Sequence, residues 1–206
     1  MNNRWKWSLL GLAGAALATA FFMAIRKPPL PPALPVSNGY DDLVKATGQV
    51  VSEGRAYRDV SDAELRDLVR QNREVLESVR AACQRECRAP IVYDRGSWNN
   101  QSHILAGFKW LARAFWAEAV LAEREGRTND AARIYVDGIR FGQEIGHGGR
   151  LIDRLVGMSC QSLLLPSLTN LVQNLDAQTC RELAGLLESM DLRSEPWEAT
   201  VRRERI

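Results

Sequence analysis

Histidine is nearly missing from this chain: among 206 residues only His103 and His147 occur, far apart. A metal site built from several histidines of one chain is thereby all but excluded. Cysteine is sparse, with Cys83, Cys87, Cys160 and Cys180 the whole complement, too few for a disulfide-scaffold protein. Lysine is down to four residues against 23 arginines, an imbalance that reads as the coding bias of a GC-rich genome rather than as chemistry. There is no basic surplus outside the amino terminus either, because beyond Lys27 the chain carries 23 basic against 25 acidic residues. A nucleic-acid binder needs such a surplus to neutralise phosphates and release counterions, so no nucleic-acid partner is expected. What remains is ordinary, with 46% hydrophobic and 25% charged residues, the composition of a globular rather than a disordered chain. The length suits one domain of roughly 100–200 residues with accessories.

The one long uncharged run near the amino terminus is Trp7–Ile25, nineteen residues. As a helix it rises about 28 Å, close to the ~30 Å hydrocarbon core of a bilayer. Arg4, Trp5 and Lys6 flank one end and Arg26 and Lys27 the other, the amphipathic rings and snorkelling cations that membrane interfaces accept. Ala18-Thr19-Ala20 imitates a signal-peptidase site, but the apolar run continues past it to Ile25. The expectation is therefore a retained transmembrane anchor over residues 1–27, a single membrane span. The basic residues before the span favour amino terminus in and body out. Gly11 with Ala15, and Gly14 with Ala18, form small-xxx-small pairs of the kind alanine-rich spans often contain.

Pro28 to Pro35 holds five of the eight prolines. Such a run favours extended polyproline II and makes a stiff spacer of about 25 Å. With the Asn38-Gly39 turn pair, residues 28–40 read as a linker lifting a body off the membrane.

Residues 41–206 read as an all-α domain, a helical bundle or a short stack of helical hairpins. Ser61 and Glu64 have capping-box spacing, followed by Leu65, Leu68, Val69, Val75, Leu76 and Val79 at intervals of three and four. That pattern predicts a helix to about Arg88, ended by Pro90. Residues 89–101 read as a loop. Ser102 to Glu125 reads as the next helix, and Gly126-Arg127 as a turn. Thr128 or Asn129 then caps a helix to about Ile145. Gly146, Gly148 and Gly149 make a corner, and the apolar stretch from Arg150 to Leu175 contains Pro166, which predicts a kink or two short helices. Asp176 caps a helix to about Met190, and Ser194-Glu195-Pro196 opens a last one. That helix is still running at Ile206, which reads as a truncated product or a fragment.

Few residues offer chemistry, and each has a simpler role. Cys83 and Cys87 lie four apart on one predicted helix face, without a second close pair to complete a zinc site. If the body lies outside the cytoplasm, one or two disulfides among the four are expected; otherwise all four are small buried hydrophobes. His147 among Gly146, Gly148 and Gly149 lacks the lysine and strand of a phosphate loop and reads as a hydrophilic turn. Ser159 lacks a nucleophile-elbow context and a nearby histidine base. Glu118, Glu123, Glu125 and Glu144 stand among arginines at helical spacing and read as solvated ion pairs. Gly138, Gly142 and Gly146 form a smooth stripe, which close packing by a neighbouring helix must justify. Trp110, Phe115 and Trp116 read as core. Asn100-Gln101-Ser102 fits a glycosylation sequon, which has no meaning if the source is bacterial.

Ala122 to Tyr135, AEREGRTNDAARIY, resembles the turn of a tetratricopeptide helical hairpin, with Ala131 and Ala132 opening the second helix. No second copy recurs at a 34-residue period. More broadly, the apolar span, the Pro-rich linker, Asn38-Gly39-Tyr40-Asp41-Asp42, Gly148-Gly149, Ile152-Asp153-Leu155-Val156-Gly157 and the Glu195-Pro196 helix start belong together. Their order is similar to that of the uncharacterised single-span helical proteins of planctomycete bacteria. That resemblance implies an envelope-facing helical protein and carries over no catalytic, cofactor or metal-binding residue.

The expectation is thus a membrane-tethered, non-enzymatic interaction or scaffold domain of the bacterial envelope, with a protein partner. The competing expectation is a hydrolase-like envelope enzyme whose site is assembled from dispersed Asp, Glu and Arg residues.

Overall fold

Seven helices and no strand occur among the described residues, in agreement with an all-α domain. The chain is described by a computed structural model over residues 33–51, 60–91 and 98–204, with residues 98–100 described as backbone only. The expected span Trp7–Ile25 and linker residues 28–32 lie outside the described residues, as does the side chain of Asn100. The helices are α1 (Gly39–Thr47), α2 (Asp62–Ala82), α3 (Trp98–Arg124), α4 (Thr128–Gly146), α5 (Leu151–Leu171), α6 (Ala177–Leu192) and α7 (Trp197–Glu204), with a 3-10 turn at Val172–Asn174 after α5.

Helices α3, α4 and α5 pack on one another and form the centre. The others dress it: α1 and α2 against α3, α6 against α4, and α7 against α5. The core follows from one face of each central helix. Phe108 and Phe115 of α3 meet Phe141 of α4, each at a ring-centroid distance of 5.9 Å, and Tyr40 of α1 reaches Phe108 at 5.8 Å. Edge and tilted arrangements at these distances suit the aromatic quadrupole. A smaller cluster of Leu65, Leu68, Ala117 and Leu121 joins α2 to α3.

Local signals set several boundaries as expected. Ser61 and Glu64 form the full capping box of α2, and the Asp176 side chain accepts from Thr179 N–H at the start of α6. Between α3 and α4, Gly126 takes φ +75°. Arg127 N–H donates to Ala122 O at 2.9 Å and Gly126 N–H to Glu123 O at 2.9 Å, the two bonds of a Schellman helix end.

Other boundaries differ from expectation, for tertiary reasons. Helix α2 ends at Ala82, not near Arg88, because residues 83–89 turn back to serve α1. Gly39 N–H donates to Glu86 O at 2.9 Å. Asn38, expected in a turn, caps α1 and clamps the Arg88 backbone, donating to its carbonyl at 2.8 Å and accepting from its N–H at 2.9 Å. A side chain at Gly39 would sit 2.5 Å from Ala82 O. Helix α3 starts at Trp98, inside the expected loop. Neither Thr128 nor Asn129 caps α4: Arg127 holds the cap position without a side-chain bond, and Asn129 hydrogen-bonds Asp176 instead. Of the kink or two short helices expected at Pro166, the second does not occur: α5 runs through it as one helix. Pro166 and Ser162, whose carbonyl loses its helical donor there, both lie on the exposed side, where water can take that bond.

Candidate functional site

The four glutamates separate into different roles. Arg80 of α2 bridges α3 and α4, pairing with Glu118 and donating Nε–H to Asp137 at 2.7 Å, with its guanidinium 5.2 Å from the Phe115 ring centroid. Burial would lower the Arg80 pKa, but the Glu118 and Asp137 charges outweigh it and hold the group above its ordinary value. Glu125 pairs at the surface with Arg66 at 3.3 Å and Arg127 at 2.7 Å. Glu123 accepts from the Tyr135 hydroxyl, whose pKa is raised by burial and then by that carboxylate. Glu144 departs from the solvated pair expected of it. It is buried on the inner side of α4, and that burial raises its pKa against the opposing charges of His147, Arg193 and Arg140.

The glycine corner after α4 is a structural junction rather than a free hydrophilic turn. His147 Nδ1 lies 2.8 Å from Cys87 O; a carbonyl only accepts, so this nitrogen carries the hydrogen. Ala89 N–H donates to His147 O at 2.9 Å. Arg203 of α7, buried, donates Nε–H to Gly149 O at 2.9 Å and Nη1–H to Glu195 at 2.8 Å. Gly148 N–H donates to the same glutamate at 3.3 Å. Burial would raise the Glu195 pKa, but the hydrogen bond and charge of Arg203 override it and hold the carboxyl below its ordinary value. The sequence marks Glu195 only as part of a helix start and gives no sign of its pairing with Arg203, since residues eight apart across a helix start carry no periodic signal.

Two clefts open beside His147. One, of about 220 Å³, is lined by Gln143, Arg154, Gln161, Arg193 and Trp197 among others; the second, of about 270 Å³, includes Cys87, Glu144 and Arg193. Both fall below the ~300–1,000 Å³ of ordinary small-molecule pockets. The other fully buried carboxylate, Asp153, faces different partners: it accepts from Arg150 N–H at 2.8 Å and from Gln101 at 3.4 Å. Buried carboxylates are therefore not gathered in one cleft. Among the described residues no group of three His, Cys, Asp or Glu is close enough to hold a metal ion.

The cysteines are free. With α2 ending at Ala82, Cys83 and Cys87 do not share a helix face as expected; Cys83 caps the helix and Cys87 lies beyond it. Both are core residues, as is Cys160, while Cys180 is half-buried. Burial pushes the Cys83 thiol well up and that of Cys87 up to about 12, which makes both poor nucleophiles. Ser159 lies exposed on α5. Phe115 is core as expected; Trp110 and Trp116 are half-buried, Trp110 beneath the Arg113 guanidinium at 4.5 Å.

The glycine stripe of α4 does what close packing requires. A side chain on Gly142 would come 2.8 Å from Gly157 O, and one on Gly157 2.3 Å from Gly142 O. The backbones of α4 and α5 thus touch, which fixes the inner face of α5. Its outer face is apolar and uncharged over most of its length. From residue 155 to residue 175 there is no charged side chain. Leu151, Leu155, Met158, Leu163 and Leu165 of α5, and Val172 in the turn after it, stand between 37% and 52% exposed. Leu151–Asn174 is the one stretch among the described residues long and apolar enough, by length and composition, to cross a membrane, with a third of it buried inside the fold.

Comparison with protein-family models, with curated proteins and with solved structures finds no match for this chain.

Proposed function

We propose that this chain is a membrane-tethered helical interaction domain of a bacterial envelope, in which the helical body presents the outer face of α5 to a protein partner. The observation that carries the reading is that face: large apolar side chains stand exposed along α5 and the turn after it, with no charge from residue 155 to residue 175. Soluble proteins rarely leave such a strip uncovered. The nineteen-residue apolar run Trp7–Ile25 and the proline run after it supply an anchor and a spacer in this reading. The α3–α4 hairpin, with its Schellman turn, supports the likeness to a tetratricopeptide-type helix pair, and the order of segments supports the likeness to planctomycete single-span proteins. The reading assigns the chain no reaction.

The test is membrane fractionation with alkaline carbonate extraction, combined with alkaline phosphatase fused after Ile206 and, separately, a reporter active only in the cytoplasm. Retention in the membrane pellet with phosphatase activity is the expected result. Release by carbonate overturns the tether, and activity of the cytoplasmic reporter overturns the envelope-facing orientation.

A further inference from the structure

We propose that the cleft between residues 84–87, α4 and the end of α6 is a binding site for a compact zwitterion of the amino-acid type, its ammonium held by Glu144 and its oxyanion by Arg193. The site lies apart from the outer face of α5 and does not depend on the tether.

Glu144 is a buried carboxylate that the fold leaves unbonded. It is 8% exposed, yet among the described residues its carboxylate accepts no hydrogen bond and forms no ion pair. Asp153, the other buried carboxylate among them, accepts from both Arg150 N–H and Gln101. Taking an ionised carboxylate out of water without a donor costs stability, and at Glu144 no structural bond offsets that cost. Its oxygens are not sealed in, either. The buried, unpartnered side-chain atoms among the described residues are Nε of Arg88 and Nε of Arg140, and the Glu144 oxygens do not belong with them. They open into the cleft of about 270 Å³ that Glu144 lines together with Gln84, His147 and Arg193.

Charge selects what this cleft can hold. Besides His147, its charged side chains are Arg85, Glu86, Glu144 and Arg193. Arg85 is paired with Asp42 and Glu86 with Arg88, which leaves Glu144 and Arg193. Those two do not pair with each other, although the Arg193 charge is near enough to pull the Glu144 pKa down against its burial. Arg193 engages only Nε–H, donated to Ser189 O at 3.2 Å, and among the described residues its terminal nitrogens have no partner. A simple alkylammonium would satisfy Glu144 but meet repulsion from Arg193 and from Arg140 one turn away. A simple carboxylate would satisfy Arg193 but meet repulsion from Glu144. A net-neutral zwitterion supplies both complements.

His147 fits the ammonium end. Its Nδ1–H is given to Cys87 O, so Nε2 of the neutral ring is an acceptor. Glu144 and His147 are three residues apart, neighbours along the last turn of α4. An ammonium has three hydrogens and no lone pair, so it can serve both acceptors while the oxyanion takes the Arg193 fork. Such a donor also favours the ionised form of Glu144, opposing the burial that raises its pKa. The volume agrees with the class, being too small for a drug-sized ligand and roomy enough for one amino acid.

The experiment compares melting temperatures of the detergent-solubilised full chain at pH 7 with and without about 10 mM of each probe, since a ligand that binds only the folded state raises them. The probes are the free L-amino acids one at a time, O-phosphoethanolamine, n-propylamine and propionate. At least one zwitterion is expected to raise the melting temperature and to give a dissociation constant by calorimetry, while propylamine and propionate leave the protein unchanged. A response to an amino acid supports a free metabolite as the source of this chemistry. A response to O-phosphoethanolamine alone supports a zwitterionic lipid headgroup. Glu144→Gln and Arg193→Gln should each weaken binding at least tenfold, the worth of one charge-assisted hydrogen bond. Neither change threatens folding: the first removes an unbonded charge, and the second alters an exposed side chain. Far-ultraviolet circular dichroism checks that both stay folded. Arg66→Ala, whose pair with Glu125 lies outside the cleft, should bind as the parent does. Failure of every zwitterion to raise the melting temperature overturns the proposal and leaves the cleft to water. Equal binding of propylamine or propionate overturns it, and so does binding that survives both glutamine substitutions. Membrane retention and reporter activity are untouched by any of these outcomes, so failure here is distinct from failure of the tether.

Discussion

The surface over α2 and α3 and the outer face of α5 belong to the same bundle and bury comparable inner faces, yet their outer faces are built from opposite chemistry. Over α2 and α3, charges interlock between helices: Arg66 with Glu125, Arg124 with Asp62, and Arg80 with both Glu118 and Asp137. Over residues 155–175 there is no charge at all. The inner face of a helix reports what the fold needs, whereas its outer face reports what it meets. Water suffices for α2 and α3, and the proposed function gives the outer face of α5 a partner.

The sharpest way to break this comparison is to truncate two adjacent leucines of α5. Leu164 is fully buried and Leu165 is 43% exposed. Leu164→Ala should cost about 2–5 kcal/mol in denaturant unfolding of the detergent-solubilised chain, and Leu165→Ala less than about 0.5 kcal/mol. Equal costs would mean that the outer face is already covered within the monomer.

Next in size are two glycines. Gly157→Ala places a methyl 2.3 Å from Gly142 O, while Gly185 on α6 has open space around it. The first substitution should destabilise by about 1–3 kcal/mol because a backbone cannot yield as a side chain can. Gly185→Ala should stabilise by up to about 1 kcal/mol, the helix-propensity difference. Thermal melts of the two variants should shift in opposite directions.

On the charged side, Arg80→Ala removes two half-buried pairs at once and should cost about 1–2 kcal/mol. Arg66→Ala, at an exposed pair, should leave the unfolding midpoint unchanged. Adding salt to the parent should mimic Arg66→Ala far better than Arg80→Ala, since exposed charges are the ones screened.

The smallest expected effect depends on pH. The pKa of Glu144 is raised by its burial, so the folded state holds that proton more tightly than the unfolded state. Its penalty is complete at neutral pH and is relieved as the pH falls through the raised value. Glu144→Gln should therefore raise the melting temperature at pH 7, with a gain that shrinks on acidification. Glu195 has the opposite sign: held low by Arg203 against its burial, it contributes stability above the ordinary glutamate pKa that is lost as the pH falls below it. Hydrogen exchange in α7 should accelerate there, ahead of α4.

How much of this was legible depended on whether the cause of a feature was local. Ser61 with Glu64, Asp176 with Thr179, and the Gly126 turn were readable because each cap is made by residues within a few positions. The glycine stripe could be read as a packing surface because its spacing has no other use. Asn38 could not be read as a clamp, because the backbone it holds belongs to Arg88, 50 residues on. Asn72 was equally silent, though its amide grips the Val51 backbone at 2.9 Å and 3.0 Å. Glu144 misled because helical spacing among arginines describes a surface pair and a buried carboxylate equally well.

The sequence by itself determined the helical class, the caps at Ser61, Gly126 and Asp176, the apolar amino-terminal run and the charge-free stretch from residue 155 to residue 175, since each is written in neighbouring residues or in one period. Only the tertiary structure decided where α2 stops, that Arg203 and Glu195 lock the glycine corner, and which side of α5 is left uncovered. Those outcomes depend on which backbone atoms approach across the fold, and a helix apolar on every side does not say which of its faces the core will take until Gly142 and Gly157 are brought into contact.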